Sequence, residues 1–225
     1  MGGRGHDVLR AARGWATGRS YREYGVGLGL AVLLVSGAFG GLEEQRVAAP
    51  PSVPTGREVA VEPFRVTVER VRAGTDLGVD SIPAPEGRYL LVSLRVGVGD
   101  VSTSVPWQTL RDLVRLEGAQ GLVGPFHTEG DPVPARPEEV VPTHMVSSDD
   151  AEGLGDIAPG LQYPAVFLFQ QVGSAALPEE VTVVLSRHTW RKSNNDQRLG
   201  WFDPEVAVRV TVPVTEFAPA PEPTP

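Results

Sequence analysis

Side-chain chemistry needs a nucleophile, an acid–base group or a metal ligand, and this chain is short of all three. It has no cysteine. That removes disulfides, thiolate metal sites, a cysteine nucleophile and a lipidated cysteine. Four histidines remain, His6, His127, His144 and His188, and no two have metal-ligand spacing. A serine nucleophile needs a base within reach and an orienting carboxylate, yet no Gly-x-Ser-x-Gly occurs. Gly121-Leu122-Val123-Gly124 lacks the lysine and following helix of a phosphate cradle. His188, within Ser186-Arg187-His188-Thr189-Trp190, offers a base or ligand. The simpler reading is a surface histidine beside a tryptophan at a strand end. No catalytic residue, cofactor or metal site is expected, and the chain reads as a non-enzyme.

Two clusters stand out from this background. Asp149, Asp150, Glu152 and Asp156 crowd a glycine-containing stretch. Hard oxygen ligands in such a loop can bind calcium, but the spacing is not that of an EF-hand, and a solvated acidic loop is the default. The second cluster is Trp190, Arg191, Lys192, Arg198, Trp201 and Phe202 around a polar turn. Aromatic and cationic side chains are enriched where proteins recognise partners. Trp190, Arg191, Lys192, Arg198 and Trp201 are therefore the candidate partner-binding residues. Alternatively both tryptophans plug the end of the domain under an ordinary loop.

The elements that must position these residues follow from charge and periodicity. Residues 1–24 hold five arginines against Asp7 and Glu23, a net +3 in a chain of −8, so the remainder carries −11. An acidic body repels phosphate, which argues against nucleic-acid binding. Tyr24–Leu42 runs 19 residues without a charge, close to the ~20 that span a bilayer core. Arginines before it and Glu43 and Glu44 after it place the N-terminus in the cytoplasm and the body outside. The expected organisation is a basic head (1–24), a transmembrane signal anchor (25–42), a proline-rich linker (43–56), an extracytoplasmic body (57–216) and a proline-rich tail (217–225). Cleavage after Ser36-Gly37-Ala38 is the competing reading, though the basic head is long for a signal peptide. Gly25, Gly29, Gly37 and Gly41 have the four-residue spacing of close helix packing in membranes.

The body alternates with period two. Val206, Val208, Val210, Val212 and Val214 form one face of a strand, and Leu90, Val92, Leu94, Val96 and Val98 another. Phe64, Val66 and Val68 repeat the pattern, and Val59 and Val61 lie in the opposite phase, as a bulge or kink at Pro63 would require. Leu110–Leu116, Ala165–Phe169 and Val181–Leu185 are shorter strands, although Trp107–Leu116 would also place Leu110, Leu113 and Val114 on one helical face, and 118–158 reads as a long connection between sheets. In each alternating strand one face is buried and the other wetter. Seven or so strands separated by Gly/Pro turns predict an all-β, immunoglobulin-like sandwich.

The strand Arg88-Tyr-Leu-Leu-Val-Ser-Leu-Arg-Val96, then Leu154-Gly-Asp-Ile-Ala-Pro-Gly160, then Ala165-Val-Phe-Leu-Phe169 resembles the order in telokin-like, immunoglobulin-like domains of the DUF4352 type, found outside the membrane in anchored actinobacterial proteins. The asparagine usual after the first strand is replaced by Gly97-Val98-Gly99-Asp100. The resemblance covers about 59–214, implies a sandwich in an extracytoplasmic setting, and brings no catalytic residues. The expected function is a non-enzymatic, membrane-anchored module that binds or scaffolds envelope partners, with the lipid bilayer and an envelope protein as its contacts. The other reading is a secreted ligand- or carbohydrate-binding protein, or an enzyme whose site the sequence does not display.

Overall fold

The computed structural model describes residues 49–75, 77–79, 82, 85–124 and 140–217. The basic head, the anchor and most of the linker lie outside them. Among the described residues no helix is long and apolar enough to cross a membrane.

The body is a β-sandwich with one short helix. Its strands are β1 (Glu58–Val61), β2 (Phe64–Gly74), β3 (Arg88–Val98), β4 (Val114–Glu117), β5 (His144–Ser147), β6 (Gln162–Gln171), β7 (Glu180–Lys192) and β8 (Leu199–Glu216), with the helix α1 (Trp107–Arg111) before β4. The order is β4-β7-β8-β2-β3-β6-β5, with β1 on β2. β4, β7 and β8 form one layer, and β1, β2, β3, β6 and β5 the other. β8 belongs to both, because its last residues pair in parallel with β2, Val71 opposite Val214.

The alternating valines and leucines make the core. Val208, Val210 and Val212 from β8 and Val181, Val183 and Leu185 from β7 meet Phe64, Val66, Leu90, Val92, Leu94, Phe167 and Phe169 from the other layer. Val210 is 2% exposed, whereas its neighbour Thr211 is exposed and faces Thr182 across the ladder. The phase of the last strand is therefore as the alternation requires. At the end remote from the β7–β8 turn, Gly87 adopts φ 116°, and a Cβ there would lie 2.2 Å from the Gln171 carbonyl oxygen. Only glycine lets the chain pass so close.

Five sequence expectations need correction. The phase change between Val61 and Phe64 is a hairpin with a cis Glu62–Pro63 peptide, not a bulge. In that register Val59 faces Val66 and Val61 faces Phe64, so odd and even positions share a face. The bulge lies further on, between Val68 and Arg70. Leu110–Leu116 is not one strand, since Trp107–Arg111 is helical and β4 begins at Val114. Leu110 and Leu113 are buried by the helix and its exit instead.

The face of β3 expected to be wetter is also covered, where Tyr89 and Leu91 pack with Ile82, Val146 and Leu168 in a second apolar cluster. The 118–158 connection contributes β5 to a sheet edge rather than only bridging layers. Finally, the end of the supposed linker belongs to the body. Ser52 bridges Arg209 in parallel, and the Val53 N–H donates to the Arg209 carbonyl at 3.0 Å.

Val210→Asp in the full chain should abolish the cooperative melt of the body, since an unpaired charge in the core costs on the order of several kcal/mol. Thr211→Asp should shift the melt only slightly. Equal effects in thermal denaturation followed by circular dichroism would overturn the register of β8.

Candidate functional site

The candidate residues occupy the distal part of the β7–β8 hairpin. Trp190 pairs with Trp201, Arg191 with Gly200 and Lys192 with Leu199, and the Ser193 N–H closes the turn on the Arg198 carbonyl at 2.8 Å. β4 pairs with β7 only as far as Leu185. Beyond Leu185 the Ser186 N–H still donates to the Leu113 carbonyl at 2.9 Å and the His188 N–H to the Glu62 carbonyl at 2.7 Å; past His188, among the described residues, β7 and β8 form a two-stranded ribbon, which needs packing of its own to hold. The side chains supply it, differently on the two faces.

On one face lie Trp190, Trp201, Lys192 and Leu199. The indole centroids are 5.1 Å apart with the rings tilted by 56°, an arrangement that adds to plain area burial. Trp201 packs on the main core, while Trp190 and Leu199 are 50% and 58% exposed. One tryptophan therefore does close the domain end, and the other stands outside it. Lys192 and Arg198 are both exposed. Arg198 sits 3.6 Å from Asp196, whose carboxyl is held below its usual range by the Arg198 N–H.

Arg191, also a candidate partner-binding residue, faces the other way and is paired within the ribbon. Its guanidinium is engaged by both carboxylate oxygens of Asp203, one bond being 2.8 Å. It also donates to the Lys192 carbonyl at 2.8 Å and lies 5.0 Å from the Phe202 ring centroid. That ring covers the bare face of Gly200, where a Cβ would come 3.0 Å from it. The pairing raises the arginine further above its ordinary value and lowers Asp203. Asp203 takes φ 55° to make this contact. Arg191 is thus a clasp of the ribbon, while Trp190, Lys192, Trp201 and Leu199 form the outward face and Arg198 stands exposed at the turn. Leu199 was missed because a lone leucine beside a turn carries no signal until its cross-strand partner is known.

Of the other candidates, His127 lies outside the described residues. His188 is buried, not a surface residue, at the bulge between Arg187 and Thr189. Its ring packs edge-on to Phe64 at 6.4 Å, and neither ring nitrogen has a hydrogen-bond partner among the described residues. Burial pushes its pKa down, partly opposed by Asp112. His144 packs against Tyr89 at 6.1 Å and is likewise lowered by burial. In the acidic stretch Asp150 accepts the Glu152 N–H and Asp156 accepts the Trp107 N–H. No group of three histidines or carboxylates among the described residues could hold a metal ion. A groove of about 250 Å³ lies between Leu77, Val79 and Ile82 on one side and β2, β3 and β6 on the other, with Arg70, Arg72 and Leu91 in its lining, and no histidine is among its described lining residues.

The fold and this surface define a small β-sandwich with an aromatic, cationic ribbon at one end. No family model matches the sequence, and no curated protein matches it. Among solved structures, the chain is similar to an uncharacterized β-sandwich protein from Clostridium difficile 630. The TM-score is 0.43 at 11% identity, covering 75% of this chain and 99% of that one.

Two predictions arise here. Arg191→Ala should lower the melting temperature of the full chain, and Asp203→Ala should do the same without adding to it, because the two act as one contact. Lys192→Ala and Arg198→Ala should leave it nearly unchanged, as exposed charges contribute little. Additive losses for Arg191 and Asp203 in a double-mutant cycle would refute the clasp.

The second concerns pH. The folded His188 and His144 bind protons less readily than the unfolded chain at 6.5. Their contribution is therefore fully present above pH 6.5 and lost as pH falls from there through the lowered folded values. The carboxylates with depressed values act only below their ordinary 3.8. His188→Leu should thus flatten the fall in stability just below pH 6.5, measured by urea unfolding across that range. An unchanged slope would mean that His188 does not titrate with folding.

Proposed function

We propose that the chain is a non-enzymatic, membrane-anchored, extracytoplasmic β-sandwich module that binds or scaffolds envelope partners. The observation that carries this reading is the outward ribbon face. Trp190 and Leu199 are large, apolar and exposed, flanked by Lys192 and Arg198, on a ribbon clasped by Arg191 and Asp203. A rigid aromatic surface with cations at its rim is suited to contact rather than to turnover. The uncharged Tyr24–Leu42 run with arginines on one side supports the anchor and the direction of export. Membership of the DUF4352-type immunoglobulin-like domains is part of the proposal. It is supported by the two motif strands being neighbours, with Leu90 opposite Phe169 and Val92 opposite Phe167.

The test joins topology to contact. A C-terminal reporter that fluoresces only in the cytoplasm should stay dark, and a photoreactive residue at Leu199 should crosslink to an envelope component in intact cells, while one at Pro213 should not. Bright cells would reverse the topology. A mature protein beginning near Phe39 would replace the anchored reading by a secreted one.

A further inference from the structure

β2 turns two arginines onto the outer face of its layer. The bulge between Val68 and Arg70 resets the phase of the strand, so that Val71 and Ala73 enter the main core while Arg70 and Arg72 point away from it. Residues two apart on one strand are separated by about 7 Å, close enough for both side chains to reach one small anion. Arg70 is opposite Ser93, and Ser93 is opposite Val166. Arg72 is opposite Leu91, and Leu91 is opposite Leu168. Each arginine therefore heads a row that runs across the sheet toward β5, where Val146 faces Val166. With strands about 4.8 Å apart, such a row is roughly 14 Å long. Leu77, Val79 and Ile82 lie over the rows, and the space left between is the groove of about 250 Å³.

The two cations at its head are unmatched. The carboxylate in the described lining, Glu69, is held by Arg95 at 2.8 Å. Neither Arg70 nor Arg72 has an ion pair among the described residues. The Arg72 guanidinium lies 5.1 Å from the Phe217 ring centroid, which holds its plane in place. Its Nε is shut off from solvent with no hydrogen-bond partner among the described residues. Burial lowers its pKa, and the neighbouring charge that acts on it is a like one, Arg70. Adjacent like charges in a partly dry site are unfavourable, and an anion set between them relieves both the repulsion and the unmet donor. In a chain of net −8 this is a local reversal of sign. The acidic turn that follows β5 stands at the other end, where Ser147, Ser148 and Ala151 line the groove. An anionic group is therefore favoured at the β2 end alone.

We propose that this groove binds a small, single-tailed anionic amphiphile, its carboxylate held between Arg70 and Arg72 and its tail laid along Leu91 and Leu168 toward β5. The planar fork of a guanidinium matches a carboxylate in geometry as well as charge. An uncharged ligand would leave the arginines as they are, and a bare inorganic anion would leave the apolar floor uncovered. The volume of about 250 Å³ falls just under the ~300 Å³ at which pockets for drug-sized ligands begin. That suits one short chain and not a two-chain lipid. The groove belongs to the layer of β2, β3, β6 and β5, whereas the ribbon is built from β7 and β8, so this site does not depend on the reading of the ribbon.

The full-length chain in phosphatidylcholine nanodiscs is irradiated with a ten-carbon carboxylic acid that carries a diazirine at its tail end, and the adducts are mapped by peptide mass spectrometry. They should fall at the β5 end of the groove, around Val146 and Val166. Arg70→Gln combined with Arg72→Gln should lower that labelling about tenfold or more, as the loss of charge-assisted hydrogen bonds would. The matching diazirine alcohol should label the native chain no better than the acid labels the double variant. Arg70→Gln alone, at an exposed side chain, should lower labelling roughly threefold or more, and it serves where the double variant does not melt as the native chain does. Equal labelling by acid and alcohol, or of native and variant chains, overturns the proposal. Adducts spread over the body without preference overturn it too. Labelling by a photoreactive phosphatidylglycerol and not by the free acid would give the groove to membrane lipid instead. Asp76 and Asp80 bracket Leu77 and Val79 in sequence. If the acid binds only once both are changed to asparagine, the chain's own carboxylates serve the arginines and the proposal fails.

Discussion

The sandwich and its candidate surface depend on a single strand that cannot satisfy its backbone in one sheet alone. β8 is 18 residues long, well beyond an ordinary strand, and each part of it is paired differently. Its first part forms the ribbon with β7, its middle is shared between β7 and the incoming Ser52, and its end crosses to β2. The two layers are therefore continuous through one backbone. Register at Val208, Val210 and Val212 fixes the core, and the same register fixes which ribbon residues face out. The irregularities between Leu185 and Ser186 and between Arg187 and Thr189 reset the phase midway. Above them the odd positions Val181, Val183 and Leu185 are buried; below them His188 is, and Trp190 follows two residues on. Bulges re-aim side chains in this way, and here the result is an aromatic pair that overhangs the end of the core.

The described histidines are held in the architecture one by one. An imidazole with two unpartnered nitrogens is an expensive thing to bury; His188 sits at the bulge, edge-on to Phe64, and burial lowers its pKa. The acidic stretch is similar. Its carboxylates accept backbone N–H groups that the turns leave unpaired, which is how short acidic side chains commonly stabilise loops.

What the sequence made legible was what period two can carry. The core positions of β2, β3 and β8 followed from the alternation of Phe, Val and Leu, and β6 and β7 were legible as short apolar runs. Local competition and long-range cover were not legible. Trp107–Arg111 is helical, with Pro106 at its N-cap, while the apolar spacing of 110–116 suited strand equally well. The second face of β3 is dry only because Ile82 and Val146, far away in sequence, are laid on it. At the candidate surface, the aromatic and cationic composition was visible, yet composition could not assign faces. Arg191 and Lys192 are adjacent in sequence and opposite in role, one a clasp and one a surface charge, and only pairing with Gly200 and Leu199 separates them.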